Sequence, residues 1–276
     1  MSRIARHRVR ALSGVCGVAI QRANLIEHYI AKQQMERDMR LAREIQQGLL
    51  PQQSPSIGGF DVAGLCEPAD QTGGDTFDFF EMPGGRWMIS VADATGHGIG
   101  PALVIAETRA MLRAVSLREG DVANILGTVN DLLCADLGGG RFVTCFCGML
   151  NPSDAGMSFA SAGHGPLLFY NRRSDSFSQV AATALPLGIM EQTPRGQAAQ
   201  YRFETGDFAA ITTDGFFESA DRQGAQFGMA RMMEALRGDR NLPAARMIEN
   251  LRRAVEEFTH GAPQADDLTA VVIRKL

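Results

Sequence analysis

From about Gln21 to Leu50 the chain has no Pro and a single late Gly48, and its apolar residues Met35, Met39, Ala42, Ile45 and Leu49 recur at three- and four-residue steps. That spacing lines one face of an α-helix. Glu36 with Arg40 and Arg40 with Glu44 support its polar face at i,i+4, and Pro51 ends it. Beyond Pro51 the pattern changes to short apolar runs bounded by Gly, Asp and Pro: Phe60 to Cys66, Arg86 to Ala92, Phe142 to Leu150, Gly156 to Ala160, Pro166 to Tyr170, Phe208 to Thr213 and Leu268 to Arg274. These lengths suit strands. Helical periodicity returns from Pro101 to about Leu117, over Val122 to Leu137, over Phe227 to Leu236 and over Pro243 to Phe258. The strands are too clustered for strict βαβ alternation, so the expected class is α+β, with mostly antiparallel sheets covered by helices. The expected division is a helical segment, residues 1–50, followed by one domain, residues 51–276.

Composition narrows the function. The chain has 276 residues, 45% hydrophobic and 21% charged, with a net charge of -4, so it folds around a sizeable core but carries no global basic field for a nucleic acid. Its five cysteines, Cys16, Cys66, Cys134, Cys145 and Cys147, include no C-x-x-C pair. A disulfide framework and a structural zinc site are therefore disfavoured, and a reducing, cytoplasmic compartment is expected. No stretch has the length and apolarity of a membrane span. Arg3, Arg6, Arg8 and Arg10 before the apolar run Ala11 to Ile20 echo a signal peptide, but Arg22 follows without a clear cleavage pattern.

Four segments place an acidic residue in or beside a turn, usually at the end of an apolar run: Gly73-Gly74-Asp75-Thr76-Phe77-Asp78, Val91-Ala92-Asp93-Ala94-Thr95-Gly96, Ile211-Thr212-Thr213-Asp214-Gly215 and Gln264-Ala265-Asp266-Asp267-Leu268-Thr269. Each alone is ordinary turn or capping chemistry. Together they suggest more, because carboxylates gathered at one end of a sheet repel one another unless a cation neutralises them, and all-oxygen ligands suit Mg²⁺ or Mn²⁺. The chain has no G-x-x-x-x-G-K-[ST] loop, no H-E-x-x-H helix and no G-x-S-x-G elbow. Gly96-His97-Gly98-Ile99-Gly100 lacks the last glycine of a dinucleotide loop and has Asp93 where a pyrophosphate would approach. His97 and His164 lie in Gly-rich loops; either can touch substrate or serve as an acid, and for His164 a structural hydrogen bond is the expectation.

These blocks, in this order, resemble the metal-dependent serine/threonine phosphatases of the type 2C superfamily, and within it the bacterial SpoIIE-like branch of partner-switching signalling. The resemblance runs from about Leu49 to Leu276. It rests on Leu49-Leu50-Pro51, Gly73-Gly74-Asp75-x-x-Asp78-Phe79-Phe80, Asp93-Ala94-x-Gly96-His97-Gly98, Phe142-Val143-Thr144, Ala162-Gly163-His164, Leu187-Gly188-Ile189, Thr213-Asp214-Gly215-x-x-Glu218 and Asp266-Asp267-Leu268-Thr269. It implies two packed antiparallel sheets flanked by helices, an α-β-β-α sandwich, with a pair of Mn²⁺ or Mg²⁺ ions at one edge. Asp75 then resembles a ligand of one ion, Asp93 the bridging carboxylate with the Ala94 carbonyl beside it, and Asp214 with Asp266 the ligands of the other. Asp78, His97 and Asp267 are candidates for supporting the metal ligands or touching substrate. Thr72 and Thr76 depart from the apolar and aromatic residues common in the first block, which bears on substrate fit.

The implied reaction is hydrolysis of a phosphoserine or phosphothreonine by a metal-activated water, without a phosphoenzyme. The implied partner is a phosphorylated signalling protein of the anti-sigma-antagonist type, with a homodimer through the N-terminal helix as a further expectation. A silent phosphoprotein-binding module would have lost a ligand carboxylate, and a Ca²⁺-stabilised structural domain would carry its ligands in one local loop. Neither feature is present in the sequence.

Overall fold

A computed structural model describes residues 3–138, 140–191 and 196–276; the side chains of residues 3–20 and 23, including Cys16 and the four arginines near the N-terminus, lie outside that description. The chain divides into two compact units, Met1–Ile45 and Gln46–Leu276. Helix α1 (Arg3–Leu49) begins well before the expected Gln21, since Gly14 and Gly17 do not interrupt it. Among the described residues no helix is long and apolar enough to cross a membrane.

The second unit holds β1 (Phe60–Glu67), β2 (Asp75–Met82), β3 (Arg86–Ala94), α2 (Ile99–Ser116), α3 (Val122–Asp136), β4 (Val143–Asn151), β5 (Gly156–Ala162), β6 (Leu167–Asn171), β7 (Ser176–Val180), β8 (Ala199–Arg202), β9 (Phe208–Thr212), the single turn α4 (Gly215–Glu218), α5 (Gly228–Gly238), α6 (Ala244–Thr259) and β10 (Leu268–Lys275). They form two five-stranded sheets, ordered β1-β10-β9-β6-β7 and β2-β3-β4-β5-β8. Every pairing within them is antiparallel. The class is α+β, two antiparallel sheets flanked by helices, as the sequence implied.

Burial on both faces explains why the central strands read as continuous apolar runs. Side chains alternate along β3, so Ile89 and Val91 enter the core between the sheets with Phe77, Phe146, Phe169 and Val271, while Met88 and Ala92 pack beneath α2 and α3. A third cluster, built on Phe208, Ala210 and Val272, lies under α5 and α6. Helix α6 turns Met247, Ile248, Leu251 and Val255 inward, each worth roughly 1.5–3 kcal/mol when fully buried. Asp121 caps α3, accepting from the Ala123 and Asn124 backbone N–H groups at 2.9 and 3.0 Å.

Three strands and one turn of helix were not anticipated. The β2 segment was legible only as a chemical block, because Asp75 and Asp78 interrupt its apolar pattern. Strand β7 is a largely exposed hairpin edge and β8 is a four-residue edge, so neither carries a hydrophobic signature.

Candidate metal centre

Strands β2 and β3 pair so that Asp75 stands directly opposite Asp93 at the end of the hairpin. In the facing sheet, Asp214 follows β9, and Asp266 and Asp267 precede β10. Thr213 joins the two ends: its hydroxyl donates to Asp75 Oδ2 at 2.8 Å, and its backbone N–H donates to the Thr269 carbonyl at 2.9 Å. The edge of the sandwich therefore collects carboxylates from four separated parts of the chain. A cleft of about 620 Å³ opens there, lined by Asp93, Thr95, His97, Thr144, Asp214, Asp266 and Asp267 among others. Asp75 is buried and does not itself line the cleft, Asp93 is half-buried, and Asp214 and Asp266 are exposed.

The loop before Asp75 is held tightly. Asp267 accepts from the Ala69 N–H through Oδ1 and the Gly74 N–H through Oδ2, both at 2.7 Å. Gln46 Nε2 donates to the Gly73 carbonyl at 2.6 Å, and its Oε1 accepts from the Gly73 N–H at 3.1 Å. The Ala94 N–H donates to the Gly74 carbonyl at 2.8 Å. Both glycines are required by these approaches: a Cβ on Gly73 would stand 2.3 Å from Asp267 Oδ2, and one on Gly74 would stand 2.6 Å from the Ala94 carbonyl oxygen.

The electrostatics are those of uncompensated negative charge. Burial, then the charges of Asp93 and Asp267, raise the Asp75 carboxyl well above the usual range. Partial burial, then the charges of Asp214 and Asp266, push Asp93 up to about 7, and a hydrogen bond shared with Asp75 opposes the shift. Asp214 is raised by partial burial and by Asp266. Burial also raises Asp267, outweighing its backbone donors. Among the described residues no Lys or Arg lines the cleft. An all-oxygen, acidic donor set of this kind fits a hard divalent cation. Among the described residues, no three His, Cys, Asp or Glu side chains stand close enough, as placed, to form a closed ligand group. Asp75 and Asp93 instead face each other across the β2–β3 pair, near enough for their carboxyl groups to titrate together.

The other expected residues are distributed differently. His97 is exposed on the loop at the cleft, and the Ala94 carbonyl lies against Gly74. Asp78 is not part of the cleft. It projects from the opposite face of β2 to Asp75, where Arg113 grips it through Nε at 2.5 Å and Nη2 at 2.8 Å and Arg109 Nε lies 3.1 Å away. Three positions separate Asp75 from Asp78, and strand parity then puts them on different faces. Asp78 ties α2 to its sheet.

His164 is buried and does not line the cleft, and burial pushes its pKa down to about 4, so the ring is neutral. Its Nδ1 lies 3.1 Å from the Thr144 hydroxyl, the structural hydrogen bond expected of it. Gln46, Thr144 and Thr213 had no assigned role in the sequence. Thr144 and Thr213 do belong to its motif blocks, and Thr213 stands beside Asp214, so membership of those blocks was the available signal; nothing marked Gln46.

The profile of the family described as Stage II sporulation protein E (SpoIIE) matches residues 83–276. The chain belongs to the SpoIIE family. The phosphoserine phosphatase RsbU of Bacillus subtilis (strain 168) is 24% identical over 244 residues, 88% of this chain and 72% of that protein. The SiaA-PP2C domain of Pseudomonas aeruginosa superposes with a TM-score of 0.77 at 24% identity, over 88% of this chain and 98% of that domain. The catalytic domain of the serine threonine protein phosphatase PstP, solved with 2 manganese ions, shares the fold at a TM-score of 0.56 and 14% identity, over 78% of this chain and 97% of that one. This SpoIIE-family chain thus has the two-sheet architecture of PP2C-type phosphatase domains and a phosphoserine phosphatase among its relatives.

Proposed function

We propose that this chain is a Mn²⁺- or Mg²⁺-dependent protein serine/threonine phosphatase that hydrolyses phosphoserine or phosphothreonine on a signalling partner of the anti-sigma-antagonist type. The observation that carries the reading is that Asp93, Asp214 and Asp266 line one cleft, with Asp75 opposite Asp93 across the β2–β3 pair and no lysine or arginine among the described lining residues. Asp93, coupled to carboxylates of both sheets, is suited to bridge two ions; Asp75 would complete one ligand set, and Asp214 with Asp266 the other, with the Ala94 carbonyl beside Asp93. Bound there, such ions supply positive charge for the phosphate oxygens and lower the pKa of water. The chain's own groups do the rest. Asp267 and Gln46 fix the Gly73-Gly74 loop so that Asp75 is delivered at a set position, and Thr213 orients the Asp75 carboxylate. His97 stands at the cleft where a leaving serine oxygen can take a proton.

Phosphate release from a phosphorylated anti-sigma-antagonist protein, with Mn²⁺ and after EDTA, tests the reading. Release that needs Mn²⁺ and is lost in Asp93→Ala supports it; release unaffected by EDTA sinks it. Leu25, Ile26, Tyr29, Ile30 and Met35 are exposed on α1, and we assign this apolar surface to a second copy of the chain. Sedimentation of the full chain as a monomer at micromolar concentration would remove that assignment.

A further inference from the structure

We infer that Thr144 is the hydrogen-bond acceptor that orients the attacking water, and that His164 is the positioning residue that gives the Thr144 hydroxyl this polarity. The inference rests on the phosphatase reading. Thr144 pairs directly with Asp93 across β3 and β4, so both side chains leave the sheet on one face, and both line the cleft. The Thr144 hydroxyl meets His164 Nδ1 at 3.1 Å behind it. The histidine is locked in place: its carbonyl accepts from the Ser161 hydroxyl, and the preceding Gly163 has φ +68° with no room for a Cβ against Pro186.

A neutral imidazole has one N–H. Nδ1 faces the Thr144 hydroxyl and Nε2 has no partner in hydrogen-bond geometry, while the Thr212 backbone carbonyl favours a proton on the ring; we place that proton on Nε2, the nitrogen that Thr144 leaves free. With the proton on Nε2, Nδ1 is an acceptor and the Thr144 O–H must donate to it. The Thr144 oxygen then offers only lone pairs to the cleft. A phosphate dianion, itself an acceptor, gains nothing from it, whereas a water can donate one hydrogen to Thr144 and turn a lone pair toward phosphorus. In the reaction the water oxygen bonds to phosphorus as the P–O(serine) bond breaks. One water proton ends on the serine oxygen, the other remains on the product phosphate, and Thr144 keeps its own.

The test uses the full chain with p-nitrophenyl phosphate and saturating Mn²⁺. Thr144→Val removes the hydroxyl with little change of shape, and His164→Leu removes the acceptor behind it. Each should lower kcat roughly 10- to 100-fold with KM little changed, and the double variant should be no slower than the worse single one. His164→Asn, which restores an acceptor near Nδ1, should recover much of the rate. Independently of activity, the ¹⁵N resonances of His164 in metal-free protein should show the Nε2-protonated tautomer, and the Nδ1 resonance should move in Thr144→Val. A folded Thr144→Val with full kcat overturns the inference, as do additive losses or a proton found on Nδ1. A wild type that releases no phosphate sinks the phosphatase reading and this inference together; an active wild type matched by Thr144→Val sinks this one alone.

Discussion

Asp93→Asn separates the two faces of the candidate centre, since the charge that would hold cations also destabilises the metal-free fold. Raising an aspartate from 3.8 to about 7 corresponds to about 4 kcal/mol for keeping it ionised, at about 1.36 kcal/mol per pH unit. Asp93 titrates together with Asp75 and the cleft is open to water, so roughly 1–2 kcal/mol should be felt as stability. The sign follows from the raised folded value: the folded state holds this proton more tightly than the unfolded chain, so stability is fully present below pH 3.8, falls as pH rises to about 7, and is flat above. The amide that replaces the carboxyl does not titrate and can still donate to Asp75. In EDTA the variant should therefore melt with the wild type near pH 4 and roughly 4 °C above it at pH 8, since 1 kcal/mol moves the Tm of a domain this size by about 2–4 °C. Added Mn²⁺ should reverse the order at neutral pH, because only the wild type gains binding free energy. Phosphate release should fall by at least about 100-fold. Thermal melts at the two pH values decide the matter: a variant less stable than wild type at pH 8 in EDTA, or a gap that does not change with pH, refutes the charge-repulsion account.

Four further outcomes are expected. Gly74→Ala should cost more than about 2 kcal/mol in chemical denaturation, because its Cβ would meet the Ala94 carbonyl at 2.6 Å, and a neutral result would mean the loop is not held as described. Gln46→Ala removes both hydrogen bonds to Gly73 and should raise the Mn²⁺ concentration needed for half-maximal activity several-fold; an unchanged titration would deny the loop's role in setting Asp75. Asp78→Asn leaves two arginines facing a lost charge and should destabilise the fold by about 3 kcal/mol while sparing kcat in the folded fraction, and a selective loss of kcat would return Asp78 to the site. Iodoacetamide should leave activity intact, since burial beside Asp75 pushes the Cys66 thiol up to about 12 and the Cys147 hydrogen bond and burial raise Cys145; inactivation with mass-confirmed alkylation at either would contradict this.

How far the sequence could be read depended on which force shaped each element. Strands such as β3 and β9, buried on both faces, announce themselves as apolar runs, and α6 does so through its periodic buried face. Strands β7 and β8 do not, because an exposed edge is stabilised by its backbone partner and by little else. The carboxylates were legible as motif blocks, but their neighbours were not. Gln46 is polar and lies among other helix glutamines, and only its approach to Gly73, 27 residues away, distinguishes it.

Asp75 and Asp78 show why motif membership and site membership are different properties. They belong to one block, yet the two-residue period of a strand sends Asp75 to the sandwich interior edge and Asp78 under α2. The same period, applied across strands, puts Thr144 beside Asp93, since partners in antiparallel register share a face whatever their distance in sequence. The link between the sheets is different again. Asp75 lies in one sheet and Thr213 at the end of a strand in the other, so their 2.8 Å contact exists only because β9 and β10 end level with the β2–β3 pair. A chain-local rule can assign the first two relations once strand and register are known; the third requires the packing of the sheets. It is this third relation that brings Asp214 and Asp266 to Asp93, and with them the shared charge for which a divalent cation is the fitting counterion.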